Sequence, residues 1–563
     1  MRIAQWRAVL AVVWPPSAVV VVYLAVGRLG FFPTDEGLVQ AYTYRILRGE
    51  VPHRDFVSPR PLGSALLHIV DFLIPGPLFE VARVITLCEY VAYAVLFAWL
   101  IYAVAPHRWG IALAAGAAGS MLVNLNVFPI MSWYTVDGLL CIAAGFVLIQ
   151  QGEARGSRLM TSIGFVVVGL AALTKQSFVP APAFAWLLLL DRLRPMPWSS
   201  RMATLVRTGV LAASPSVAFI TAISAFGGFH DLTAQLLGTG FVYGRPLASA
   251  WSPTHDLKTL APAVVAAGLL TAFQRRTGLL GLGCRIALTA LIAAAPIITE
   301  LGAHGGDWAI HLFWMTAAVW VVNTAATRAV DVIGPMLLGC AWMSSLSYGY
   351  AVPDLVAGSL ALYMLHRAWS GFEFHARPMI SFAPAVAAVL LLATTSWLFD
   401  VARQQHVYRD RPSTQLTASL SGVSPAFGDI RTNTQTAEFL SEMAQCVNRY
   451  PSRYVAILPE NAAMYPALSL TNPFPIDWIW SEDIHGSEAR ILATTDRLNS
   501  EGDYLVMFQT IGEPGIVNGP SLPPATLDSN VLPSTDLPSQ IYARLHGMRT
   551  TCGTFLVVYA PPN

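Results

Sequence analysis

Between two long apolar segments, residues 31–63 read FFPTDEGLVQAYTYRILRGEVPHRDFVSPRPLG. We call residues 30–63 the first loop. The loop holds two adjacent acids, Asp35 and Glu36, at the start of a helical pattern, and four arginines follow them. The apolar segments on either side are long enough to cross about 30 Å of hydrocarbon as helices. The first loop is therefore predicted to join two membrane spans.

The composition of the whole chain indicates an integral membrane protein. Of its 563 residues, 55% are hydrophobic and only 12% are charged, whereas soluble domains carry roughly 25% charge. The long apolar runs favour membrane helices over the short alternating segments of a β-barrel. A net charge of +1 gives no indication of nucleic-acid binding.

The apolar runs predict an α-helical polytopic protein with about thirteen spans. They lie at 8–29, 82–104, 111–129, 134–151, 159–174, 177–190, 204–226, 258–273, 284–300, 308–325, 331–347, 351–366 and 379–399. The first is expected to be an uncleaved signal anchor, because no small-residue cleavage site follows it.

Every loop on one side of the predicted bundle contains arginine. Because cytoplasmic loops carry an excess of Lys and Arg, this side is expected to be cytoplasmic, and the N-terminus lies on it. The membrane is expected to be a bacterial plasma membrane. The first loop then lies outside, where its four arginines break the charge rule. An anionic ligand is a natural reason for this exception.

Residues 1–399 are predicted to form the transmembrane domain, and residues 400–563 a small extracytoplasmic α/β domain, called the tail below. The tail is polar and contains short strand-like runs such as 454–459, 503–508 and 554–560. It contains two cysteines, Cys446 and Cys552. In an oxidising compartment we expect them to form a disulfide, the alternative being two unpaired buried thiols.

Asp35 and Glu36 are the candidate catalytic residues. Adjacent helical residues point about 100° apart, so only one can face a given pocket. We choose Asp35 as the base and Glu36 as its support. The alternative is that both acids only stabilise a helix for which Thr34 is the N-cap.

Three cations are candidates for holding a phosphate, namely Arg54, Lys175 and Arg45. Arginine binds phosphate through two parallel hydrogen bonds. The alternatives are contact of the arginines with anionic lipid head groups and a lysine whose ammonium reaches the membrane interface.

Further ionisable residues lie on the same predicted side of the membrane, among them Asp55, Asp137 and His304. Ionisable residues at membrane depth are expensive to bury and are functional candidates for that reason. His304 could orient a sugar or hold a metal, or simply belong to a polar loop. No Cys/His spacing predicts a zinc site, so no definite cofactor is expected and a divalent metal is left open.

The first loop resembles a signature of the GT-C membrane glycosyltransferases. The matching residues are TDEG (34–37), ILRG (46–49), PHRDF (52–56) and PLG (61–63). The pattern is closest to glycosyltransferase family 39, which includes the protein O-mannosyltransferases and the lipid A aminoarabinose transferase. The resemblance extends over most of residues 1–370.

The resemblance implies the GT-C fold and an inverting transfer of one sugar from a polyprenyl-phosphate carrier. The acceptor would be a glycan, lipid or protein at the outer face, with membrane lipids as neighbours. It implies Asp35 as base and Lys175, Arg54 and Arg45 as contacts of the lipid phosphate. Asp137 would help position the acceptor or a metal.

Two other functional classes fit a polytopic chain. A transporter or lipid flippase predicts polar residues at span centres and internal repeats, neither of which is clear here. A membrane scaffold with a sensory tail leaves the arginines of the first loop unexplained. The identity of the sugar, the acceptor and the oligomeric state are left open.

Overall fold

The computed structural model describes residues 2–126, 130–238, 256–273, 279–302, 308–327, 331–346, 353–369, 383–480, 483–484, 486–533 and 535–562. These residues form a mostly helical protein with a small mixed sheet near the C-terminus. His304 lies outside the described residues.

Six described helices are long and apolar enough to cross a membrane. They are Gln5–Gly27, Leu78–Tyr102, Tyr134–Arg155, Trp198–Ala225, Trp308–Ala325 and Val386–Gln405. The prediction of a multi-pass helical membrane protein is thus confirmed at this level.

The helices of the first 405 residues are numbered in chain order. They are α1 (Arg2–Val22), α2 (Leu38–Leu47), α3 (Gly63–Leu67), α4 (Ile69–Leu73), α5 (Leu78–Tyr102), α6 (Ile111–Leu125), α7 (Tyr134–Arg155), α8 (Arg158–Thr174), α9 (Ala181–Ala185), α10 (Leu190–Leu193), α11 (Trp198–Ala225), α12 (Phe229–Gly238), α13 (Asp256–Phe273), α14 (Leu279–Gly302), α15 (Trp308–Thr327), α16 (Ile333–Ser345), α17 (Ala357–Trp369) and α18 (Ala383–Gln405).

One predicted span is not a single helix. Residues 177–190 divide into short 3-10 and α-helical turns, including α9 and the start of α10. Pro180 and Pro182 lie at the start of α9 and account for its separation from the 3-10 turn at 176–178, because proline lacks the N–H that a continuous α-helix requires.

The acid pair precedes α2 rather than opening it, which corrects the expected helix start. Asp35 and Glu36 lie in a turn that ends at Gly37, whose φ of 93° lies in the left-handed region. A Cβ at Gly37 would also lie 2.5 Å from Cα of Ala463 in the tail. The turn therefore requires glycine both for its backbone conformation and for the approach of the tail.

The tail contains two sheets and five helices among its described residues. The strands are β1 (Ala418–Ser419), β2 (Arg431–Thr432), β3 (Tyr454–Leu458), β4 (Tyr504–Gln509), β5 (Met548–Cys552) and β6 (Phe555–Ala560), and the helices are α19 (Thr434–Arg449), α20 (Met464–Ala467), α21 (Glu488–Glu501), α22 (Glu513–Asn518) and α23 (Leu537–Arg544). The larger sheet has the order β3-β4-β6-β5. β3 and β4 are parallel, and the other two pairings are antiparallel.

The tail packs directly on the first loop. Phe31 meets Phe427 edge-on with ring centroids 5.2 Å apart, and Phe79 stacks on the same Phe427 ring at 4.8 Å. The backbone N–H of Gly30 donates to the carbonyl of Arg431 at 2.8 Å. The hydrophobic core of the tail thus extends into the first loop and the start of α5.

A disulfide joins Cys446 in α19 to Cys552 at the end of β5, the pair expected from the sequence. The two cysteines are 106 residues apart in the chain. The bond therefore fixes the longest helix of the tail to the edge of its larger sheet.

Replacing both Cys446 and Cys552 by alanine should lower the unfolding free energy of the tail by about 2–5 kcal/mol, because the unfolded chain loses a long closed loop. Denaturant unfolding of the full chain in detergent measures this change. Cys88→Ala, at an exposed free cysteine, should change it little. Alkylation of all six cysteines of the denatured wild type without reductant would contradict the bond.

Candidate functional site

Glu36 forms a buried ion pair that holds the first loop to α5. Arg83 donates from Nε to Glu36 Oε1 at 2.7 Å and from Nη2 to Oε2 at 2.8 Å. The same guanidinium donates to the carbonyls of Gly27 at 2.9 Å and Gly30 at 2.5 Å. Both carboxylate oxygens of Glu36 are thus bonded to Arg83, so this residue positions the loop.

Asp35 has a different environment, which leaves it able to act as a base. It is 7% exposed, and its Oδ2 accepts a hydrogen bond of 2.7 Å from the Tyr408 hydroxyl. Arg409 Nη1 lies 3.7 Å from the same oxygen. Burial raises the pKa of Asp35, while the nearby Arg409, Tyr408 and Arg60 oppose the rise. A base of raised pKa holds an abstracted proton more readily than an exposed aspartate does.

The tail contributes a second carboxylate next to the turn that contains Asp35. Glu460 forms a side-chain hydrogen bond with Thr34, and burial raises the pKa of Glu460 to about 7. Glu513 lies 4.0 Å from Arg409 Nη1. Asp35 is thus surrounded mainly by groups of the tail, which the sequence analysis did not assign to the site.

Arg45 is a structural anchor between the first loop and the tail. Its Nε and Nη2 donate to the two carboxylate oxygens of Asp477 at 2.7 and 2.8 Å. Its Nη1 donates to Glu50 at 2.7 Å, and its Nη2 also reaches the carbonyl of Phe474 at 2.7 Å. The two carboxylates neutralise the guanidinium, so it would attract a phosphate only weakly.

Arg54 and Asp55 pair with each other. Arg54 donates from Nε and Nη2 to the two oxygens of Asp55 at 2.8 and 2.7 Å, and from Nη1 to the carbonyl of Phe226 at 3.1 Å. Both side chains are at least one-third exposed. The structure therefore places these two candidates at an exposed rim, each neutralised by the other.

Lys175 is the predicted cation that the fold buries with neutral partners. It is 2% exposed, and its Nζ donates to Thr135 Oγ1 at 3.3 Å and to the Ser344 carbonyl at 3.4 Å. Neither partner is charged, so the charged form of this side chain would depend on an anion bound beside it.

Arg60 is a second buried cation near Lys175, and the candidate set omitted it. Its guanidinium lies over the Tyr134 ring at 4.5 Å and near the Trp133 ring at 5.5 Å. Its charge acts on both Lys175 and Asp35. Arg60 thus links the buried lysine to the buried carboxylate. Its position between Pro59 and Pro61 was the sequence signal for a fixed arginine.

The first loop is pressed against the end of α8, which brings Arg60 and Lys175 together. Gln176 donates from Nε2 to the carbonyl of Pro59. A Cβ at Gly63 would lie 2.6 Å from the carbonyl oxygen of Leu173. Glycine at position 63 therefore permits the close approach of the two segments.

Asp137 lies in a buried group with His68 and Glu89. Its carboxylate is fully buried, and its Oδ1 lies 3.5 Å from His68 Nε2. One atom of each of these three residues lies within 4.8 Å of the others. Of the described residues, these three form the group whose donor atoms could hold a metal ion.

A polar cavity of about 590 Å³ is lined in part by Tyr408 and Arg409. Gln405, Arg411 and Asn518 also line it. Sites for small molecules have volumes of roughly 300–1,000 Å³. The cavity is therefore large enough for a polar ligand that would lie one side chain away from Asp35.

Comparisons of the sequence with protein families and with curated proteins find no relative that would suggest a role for this site. No protein-family model matches the chain, and no curated protein matches it in sequence. Function is therefore inferred from the charged groups that the fold brings together around Asp35.

Arg83→Met should destabilise the protein by about 3–5 kcal/mol, because it leaves the buried Glu36 carboxylate without its partner. The double variant Arg83→Met/Glu36→Gln should recover part of this loss, since the uncompensated charge is removed. Thermal unfolding in detergent measures both effects.

Arg54→Met is the matched control for the same class of ion pair. Its partner Asp55 is partly exposed to solvent, so stability should change little. A loss for Arg54→Met as large as that for Arg83→Met would contradict the distinction between the two pairs.

Proposed function

We propose that this protein is an inverting glycosyltransferase that moves a sugar from a polyprenyl-phosphate carrier to an acceptor hydroxyl. The observation that carries the proposal is that the charge of the buried Arg60 acts both on the buried carboxylate of Asp35 and on the buried Lys175. Transfer from a phosphate-linked donor needs a base on one side of the reacting carbon and positive charge on the other. The resemblance of the first loop to GT-C family 39 agrees with this reading.

In the proposed reaction, Asp35 accepts the proton of the acceptor hydroxyl. The acceptor oxygen then forms a bond to the anomeric carbon, and the bond from that carbon to the phosphate oxygen breaks. The phosphate departs with the electron pair, so negative charge develops on it. Lys175 and Arg60 would stabilise that charge in a site closed to water, where such interactions are strongest.

The geometry changes the roles given to several candidate residues. Glu36 acts by positioning the turn through Arg83. Arg45 is committed to Asp477 and Glu50, so we no longer assign it to the phosphate. Arg54 and Asp55 shape the rim of the loop.

We further propose that the tail forms part of the acceptor site. Tyr408 and Arg409 contact Asp35 and also line the polar cavity. An acceptor in this cavity would meet Asp35 where these two side chains now lie. The closed contact would then have to open when the acceptor arrives.

The proposal includes the GT-C fold with about thirteen spans in a bacterial plasma membrane. Helical residues occur in each of the thirteen predicted segments. The N-terminus would be cytoplasmic, and the tail would lie outside, where the disulfide Cys446–Cys552 is compatible with an oxidising environment. The first loop and the site would then face outward.

Asp35→Asn should reduce sugar transfer by about 10²–10⁴-fold, because the amide cannot take up the acceptor proton. Transfer is measured in membranes supplied with a panel of polyprenyl-phosphate sugars. Asp55→Asn, at a partly exposed acid of the same loop, is the control and should retain most activity. Full activity of Asp35→Asn would refute the base assignment, and no wild-type transfer from any donor would refute the function.

The rate should fall as the pH is lowered through the raised pKa of Asp35, because only the ionised carboxylate is a base. The Tyr408 hydroxyl stabilises that ionised form. Tyr408→Phe should therefore raise the pKa further and shift the acid limb of kcat/KM to higher pH. An unchanged profile in Tyr408→Phe would show that Asp35 does not set the acid limb.

A further inference from the structure

A group of buried ionisable side chains beneath α2 has no part in the proposed transfer. His68 lies between α3 and α4, and Asp71 lies in α4. Glu89 belongs to α5, and Asp137 lies in the first turn of α7. Their exposed fractions are 0%, 1%, 5% and 0% in that order. The group therefore places three carboxyl groups and one imidazole together in the protein interior.

Asp71 fixes the orientation of the His68 ring. His68 Nδ1 lies 3.1 and 3.0 Å from the two carboxylate oxygens of Asp71. Gln40 Nε2 holds the same carboxylate through a hydrogen bond of 2.9 Å to Oδ2. A proton on Nδ1 leaves the lone pair of Nε2 directed at Asp137. Metal-binding histidines commonly have this arrangement, with the second nitrogen bonded to a carboxylate.

The atoms that face the centre of the group have no hydrogen-bond partners within the described part of the chain. They are His68 Nε2, Glu89 Oε2 and both carboxylate oxygens of Asp137. All four are shielded from solvent. Buried carboxylates without partners are costly, so the arrangement requires a cation or bound protons at its centre.

We propose that His68 Nε2, Glu89 and Asp137 bind one divalent transition-metal ion, Zn²⁺ or Mn²⁺. A tetrahedral ion with bonds of about 2.1 Å holds its ligands about 3.4 Å apart. His68 Nε2 and Asp137 Oδ1 already lie 3.5 Å apart. One imidazole and two carboxylates suit these ions better than Mg²⁺ or Ca²⁺, which prefer oxygen ligands alone.

The ion would act as a structural cross-link. It would join α5, α7 and the 63–73 segment directly below α2. Because Gln40 of α2 is bonded to both Asp71 and Ser132, the position of the first loop would depend on the ion. The inference does not depend on the proposed transferase activity, because it is tested by metal content.

The test uses the full chain, purified in detergent with a tag that binds no metal. The protein is stripped with a chelator, reloaded separately with Zn²⁺, Mn²⁺ or Mg²⁺, desalted and analysed by mass spectrometry of the elements. We expect one equivalent of Zn²⁺ or Mn²⁺ per chain and none of Mg²⁺, together with a higher unfolding temperature for the loaded protein. Wild-type protein that retains no metal after reloading would overturn the proposal in favour of bound protons.

Variants identify the ligands. Glu89→Gln and Asp137→Asn should each abolish retention, and Asp71→Asn should weaken affinity about 10–100-fold through the orientation of His68. Glu153→Gln is the control, since Glu153 lies at the other end of α7 and pairs with Arg192. Retention unchanged in both Glu89→Gln and Asp137→Asn would overturn the ligand assignment.

A spectroscopic titration of the wild-type protein tests the same site without any variant. It therefore decides the question even if a variant fails to fold. Co²⁺ added to the stripped wild type should produce visible absorption that one equivalent of Zn²⁺ removes. Absence of this absorption, or its persistence in excess Zn²⁺, would overturn the proposal.

Discussion

The buried ion pair between Glu36 and Arg83 is the contact on which the rest of the candidate site depends. A single guanidinium bonds both oxygens of Glu36 and the carbonyls of Gly27 and Gly30. It therefore connects the end of the first membrane helix, the acid turn and α5. The neighbouring Asp35 is held in place by this bond but takes no part in it, so one acid is fixed while the adjacent one remains available.

The cations of the site divide into two groups according to their partners. Arg45 and Arg54 are neutralised by carboxylates and serve to fix the loop. Lys175 is buried with two neutral partners, and the charge of the buried Arg60 acts on it. Since a buried charge near a like charge is unfavourable, ionisation of both side chains would carry an electrostatic cost in this pocket. Such a cost is common where an anion is to be bound.

The sequence was sufficient for features determined by local composition. Apolar length and low charge predicted a multi-pass helical protein, and the strand-like runs and two cysteines of the tail predicted its small sheet and its disulfide. Asp35 and Glu36 have different environments, and the choice of Asp35 as the base stays a prediction. The expected helix start was wrong. That error arose because Gly37 adopts a left-handed conformation where the chain meets Ala463.

Pairings across long stretches of chain could not be predicted from the sequence. Asp477, which occupies Arg45, lies 432 residues further along. Tyr408, which bonds Asp35, lies 373 residues beyond it. Hydropathy and motif spacing contain no information on which charge will meet which partner. The same reason accounts for the omission of Arg83 and for the phosphate role given to Arg54.

The separation between Asp35 and Tyr408 has a consequence for biogenesis. A ribosome adding about 5–20 residues per second needs roughly 20–75 s to reach Tyr408 after Asp35 has been made. During that interval the first loop exists without the domain that covers it. Arg45 lacks its partner for longer still, because Asp477 follows Tyr408 in the chain. The acid turn can therefore reach its final form only after the last membrane helix has been made and the tail has folded. A chain that terminates early would leave the loop uncovered, exposed to proteases and to quality control.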